Sequence, residues 1–133
     1  MLTEHLDSIK ADRKSFVLFA LRCAKEIASA HELEYTKDAV KDINEYLTKG
    51  TPVNRAVINK LNRRRKRNPA ALHGDDAYYA YSVESLYFCI CAAVGEPRKN
   101  AMLAYRAALG AARVCGGCVD QIAIFEQVFK RRF

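Results

Sequence analysis

Apolar residues recur along this chain at helical spacing, and no alternating segment of useful length suggests a strand. The first strong helix is expected over residues 15–30. Its polar residues Arg22, Lys25, Glu26 and Ser29 fall on one narrow stripe, while Phe16, Val17, Leu18, Phe19, Leu21, Cys23 and Ile27 fill the rest. Most of its circumference should therefore be buried. A shorter helix is expected before it, near residues 3–11. The next, over residues 36–49, puts Val40, Ile43 and Leu47 on one face and Lys37, Asp38, Lys41, Asp42 and Glu45 on the other. Gly50 is placed to end it.

Thr51-Pro52 supplies a good N-cap and a proline suited to a first helical position, so a helix is expected over residues 53–67. Asn68-Pro69 should stop it, and Asp75 is a plausible cap for the next helix. Residues 76–94 are apolar nearly all round, interrupted only by Ser82, Glu84 and Ser85. Such a helix belongs at the centre of a bundle. Gly95-Glu96-Pro97 is a tight break, so the alanine-rich helix over residues 98–114 should pack antiparallel to it. Lys99, Arg106 and Arg113, seven apart, leave that helix a thin polar stripe. A closing helix over residues 119–131 should bury Ile122, Phe125, Val128 and Phe129.

The pattern predicts an all-α fold. Residues 1–133 form a single-domain bundle of about six helices around a buried central pair, 76–94 and 98–114. The length of 133 residues suits one domain with a core of its own. No run of about 20 apolar residues exists to span a membrane, and the polar start has no apolar signal-peptide region. Five cysteines, an odd number, with three in apolar helical runs, do not read as a secreted disulfide framework. A reducing, cytoplasmic setting is expected.

Charge adds what periodicity does not reveal. The net charge is +7, and its distribution is uneven. Residues 1–50 carry 8 basic and 9 acidic side chains and residues 75–133 carry 7 and 6, whereas residues 51–74 carry 7 and none. The whole excess thus falls on the helix over 53–67. With Val53, Ala56, Val57, Ile58 and Leu61 turned inward, Arg55, Asn59, Asn62, Arg63 and Lys66 point outward. Arg64 falls near the apolar side, where its stem must snorkel or the helix must fray. Arg63 to Arg67 are five consecutive cations at a helix C-terminus, where the macrodipole offsets part of their repulsion. Such a face binds anions: an acidic protein surface or a phosphate backbone. It is otherwise a solvated charge run. The partner-contact candidates are Arg55, Asn59, Arg63, Lys66 and Arg67. No aromatic platform is interleaved in the segment and no nucleic-acid reader motif is present, so nucleic acid is the lesser alternative.

Other features carry less chemistry. Cys115-x-x-Cys118 suggests redox or metal chemistry, but it closes a helix instead of opening one in a βαβ unit. Zinc would need two more ligands, and Cys89 and Cys91, two apart on a helix, point about 200° away from each other. Ordinary small apolar cysteines are the expectation, with no metal and no cofactor. Glu84 is either a buried carboxylate paired with Arg106 or Arg113, or part of an exposed stripe with Ser82 and Ser85. Tyr78, Tyr79, Tyr81 and Tyr87 read as core or half-exposed cover, less readily as an aromatic pocket. His5, His31 and His73 have no nucleophile or carboxylate at a telling spacing. No catalytic constellation emerges, and the chain is expected not to be an enzyme.

The order of segments has a resemblance. "FVLFALRCAKEIASAHE", "TKDAVKDINEYLTKG", an Ala/Tyr-rich helix ending "CICAAVGEP", and "AMLAYRAALGAARV" before a closing amphipathic helix resemble a family of small all-helical immunity proteins. These accompany bacterial polymorphic toxins. The likeness covers residues 12–130, including a "CAKE" step at 23–26. It implies a bacterial protein that binds and neutralises a cognate toxin, and it carries over no site residue. Here the helix over 53–67 is more basic, and that over 76–94 richer in aromatics and cysteine, than the family pattern. An acidic toxin face would suit that charge.

Overall fold

A computed structural model describes residues 2–27, 30–67, 75–115 and 121–131, with side chains except at 30–36, 67, 75–79, 114 and 115. Seven helices and no strand occur among the described residues: α1 (Leu2–Ser8), α2 (Arg13–Ile27), α3 (Ala30–Lys49), α4 (Arg55–Arg67), α5 (Asp75–Val94), α6 (Pro97–Cys115) and α7 (Gln121–Phe129). α5 is central, as its nearly all-round apolar pattern predicts, and packs on α2, α3, α4 and α6. Its most extensive contact is with α6. The Ser85 hydroxyl donates to the Ala104 carbonyl at 2.8 Å, and the Gly110 backbone meets the Tyr81 ring. One position rises as the other falls, so the two helices run antiparallel.

The helix ends are tied by specific groups. Asp12 caps α2, its Oδ1 accepting the Ser15 N–H at 2.9 Å. That bond, with a smaller contribution from the Lys14 charge, holds the Asp12 carboxyl below its ordinary value. Asp12→Ala should cost about 1 kcal/mol in urea unfolding at neutral pH. Because the folded-state pKa is depressed, the charge-dependent part is present above the ordinary aspartate range and lost as pH falls through the lowered value. The wild-type and variant curves should converge in acid. The Arg13 guanidinium donates to the carbonyls of Ala92, at 3.0 Å, and Gly95, closing the C-terminus of α5. Arg98 does the same for α1 through the Leu6 carbonyl, lying over the Phe16 ring at 5.1 Å.

Several sequence expectations change at these ends and edges. α3 starts at Ala30, not near 36: Thr36 lies inside the helix. Gly50 ends it as expected, at φ 72°, with its N–H on the Tyr46 carbonyl at 3.0 Å. Thr51 does not cap α4. Asn54 does, its Oδ1 accepting the Ala56 N–H at 2.9 Å, while its own N–H donates to Asp42 Oδ2 at 2.6 Å. Asparagine is a better N-cap than threonine, and a carboxylate on α3 ties this one in place. Leu18 is 38% exposed and Ile122 is 44% exposed, against the expectation that both lie inside. Leu18 shares the face of Arg22 and Lys25. α7 turns Ile124 and Phe125 inward, leaving Val128 and Phe129 half-buried.

The largest fully buried side chains of the core are Phe16, Phe19 and Phe125, and they gather in one place. Phe16, Phe19, Phe125 and Phe129 meet with ring centroids 5.0–6.2 Å apart, and Tyr105 joins Phe19 at 6.3 Å. The cluster joins α2, α6 and α7. α4 lies apart from this cluster, packed on α3 and α5.

Candidate partner-binding surface

α4 is held to the bundle by a thin apolar edge. Leu61 is buried and Val57 and Ile58 are half-buried, with Val53 half-buried just ahead of the helix. Ala56, expected inward, is exposed. Arg55, Asn59, Lys60, Arg63 and Lys66 are all exposed, and among the described residues Arg55, Arg63 and Lys66 make no ion pair. Asn62 is half-buried instead of outward. Arg55, Asn59, Arg63 and Lys66 come at spacings of four, four and three, one face running about 16 Å along the helix axis. The side chain of Arg67 lies outside the described residues. The proposed contact residues are thus brought together with that exception.

The remaining cations of α4 turn elsewhere. Arg64 is half-buried in a shallow hollow against α3, lined with Asp38, Ala39, Lys60 and Leu61, in keeping with its place near the apolar side. Arg65 is the residue sequence reasoning missed. Its guanidinium lies 4.7 Å from the Tyr87 ring centroid and 5.7 Å from that of Phe88. It donates to Asn62 Oδ1 at 3.0 Å and pairs with Glu84 at 3.8 Å. Its Nε is buried without a hydrogen-bond partner. The available signal was helical spacing: Ile58, Leu61 and Arg65 share a face. Glu84 therefore pairs with neither Arg106 nor Arg113, which are exposed on α6. Nor does it belong to a polar stripe, since Ser82 and Ser85 are 5% and 0% exposed. Arg65 reaches Glu84 because α4 crosses α5 on that side.

The two fully buried cysteines of the described core are poorly placed for thiolate chemistry. Cys23 and Cys89 are fully buried, and burial pushes both thiols up. Cys89 directs its sulfur to the Val17 carbonyl at 3.7 Å. Cys91 is half-buried, and burial raises it too, against a smaller opposing effect of Tyr87 and Arg65. Cys118 and His73 lie outside the described residues, as do the side chains of Cys115, Tyr78, Tyr79 and His31. Among the described residues no cluster of three or more His, Cys, Asp or Glu side chains could hold a metal ion. None of the described helices is long and apolar enough to cross a membrane. Comparison with protein families, curated proteins and solved structures finds no match for this chain.

Proposed function

We propose that this chain is a non-enzymatic protein-binding module. The outer face of α4 holds an acidic surface of a partner protein, and the partner is the toxin that this chain neutralises as an immunity protein. The observation that carries the reading is the confinement of the charge excess: seven cations and no carboxylate in residues 51–74, with Arg55, Arg63 and Lys66 exposed on one face. The toxin assignment rests on the resemblance in segment order. Exposed charges of this kind speed encounter and set orientation more than they set final affinity.

The test is binding of the purified chain to the product of a toxin-like reading frame neighbouring its gene, measured across salt concentrations. Arg63→Glu with Lys66→Glu should slow association roughly tenfold or more at low salt and flatten the salt dependence, with the fold intact by circular dichroism. Unchanged rates would remove α4 as the contact. Tight, steeply salt-dependent binding to a mixed-sequence DNA duplex would replace the reading by nucleic-acid association.

A further inference from the structure

Between residues 80 and 92, α5 is buried on every side but one. Tyr81, Glu84, Phe88 and Cys91 are half-buried and come at spacings of three, four and three, which puts them on one line along the helix. Val83, Ser85, Cys89 and Ile90 between them are all 0% exposed. α4 and α6 each pack on α5 but have no extensive contact with each other among the described residues, so the line runs between them. Its floor is aromatic at Tyr81 and Phe88. One bank is α4, where half-buried Asn62 holds Arg65 over Phe88 and exposed Lys66 stands one turn on. The other is α6, where half-buried Leu103 precedes exposed Arg106. The one carboxylate on the line, Glu84, is already paired with Arg65.

We propose that this line is the apolar part of the partner-binding surface, and that the partner delivers an acidic amphipathic helix to it. The proposal rests on the reading of α4 as a protein-binding face and adds the kind of segment bound. Apolar side chains of the incoming helix cover Tyr81 and Phe88. Its carboxylates meet Lys66 on one bank and Arg106 on the other. Charge complementarity selects this occupant: cations flank the aromatic floor on both sides, and the only central anion is neutralised. An aromatic strip between two helices, rimmed by charge, is how helix-in-groove recognition combines anchoring with orientation.

Two synthetic peptides of equal net negative charge test it by fluorescence anisotropy. One carries leucines at alternating three- and four-residue spacing among glutamates, and the other has serine at those positions. The leucine peptide should bind at least about tenfold tighter. Phe88→Ser should remove that advantage, whereas Lys66→Glu should weaken both peptides. A second measurement needs no variant. Alkylation of Cys91 by iodoacetamide, located by mass spectrometry, should slow severalfold when the leucine peptide is bound. Equal affinities, or Cys91 labelling unaffected by bound peptide, would overturn the proposal. The α4 reading would survive that result if both peptides bind and Lys66→Glu weakens them. If neither peptide binds and a DNA duplex does, both readings fall.

Discussion

Replacing Phe19 with alanine should remove about 3–5 kcal/mol of folding stability, the usual cost of deleting a fully buried aromatic ring. Phe19 is 0% exposed and touches three other rings: Phe129 at 5.6 Å, Phe125 at 6.2 Å edge-on and Tyr105 at 6.3 Å. These belong to α7 and α6, so the ring joins three helices. Its loss costs both the transfer of apolar surface and the cavity that neighbours on separate helices cannot close together. Domains of this size are stable by only about 5–15 kcal/mol, so the variant should be close to marginal. The expected fall in melting temperature is roughly 10–20 °C. Phe19→Leu, which keeps most of the volume, should cost much less. An alanine variant within about 1 kcal/mol of wild type in urea unfolding would mean that this cluster is not the structural centre.

Gly110→Leu should destabilise by about 1–3 kcal/mol, even though glycine is the poorer helix former. A Cβ at this position would lie 2.9 Å from Cε1 and 3.0 Å from Cδ1 of Tyr81, well inside normal carbon–carbon separation. Glycine here permits the close approach of α6 to α5. Leucine must displace the Tyr81 ring or part the two helices, whose contact is the most extensive in the fold. Gly110→Ala should cost less, since its helix propensity recovers up to about 1 kcal/mol. A double-mutant cycle separates the causes: Tyr81→Ala with Gly110→Leu should recover part of the loss as a favourable coupling. Additive losses would place the strain elsewhere. The same variant should disturb the aromatic line on α5 and weaken the leucine peptide more than the serine one.

The candidate face was legible where one helix decides exposure by itself. Arg55, Asn59, Arg63 and Lys66 are exposed where the helical wheel of α4 places them, and so are Lys99, Arg106 and Arg113 on α6. Each of these residues faces away from the neighbours its helix packs against. Asn62 was not legible in the same way, and for Arg65 the wheel gives only the inward face it shares with Ile58 and Leu61, not what it meets. Their environment is made by Tyr87, Phe88 and Glu84, more than 18 positions along the chain, and a wheel drawn for α4 contains none of them. Leu18 and Ile122 show the opposite error. Apolar character argues for burial, yet each lies on the part of its helix that no neighbour covers.

The sequence by itself determined the all-α class, the central place of α5 and its antiparallel partner, and the confinement of the net positive charge to α4. Periodicity, turn residues and charge counts are local quantities, and they suffice for these. Only the tertiary structure decided that Asp42 ties Asn54 at the start of α4, that Arg65 stacks on Tyr87 and Phe88 and pairs with Glu84, and that a half-buried aromatic line adjoins the basic face. Each depends on a group from a different helix: Asp42 for the cap, Glu84 and the two rings for Arg65, and α6 for the far bank of the line. Burial and pairing are properties of neighbours in space, and packing chooses among the side-chain arrangements that one helix permits.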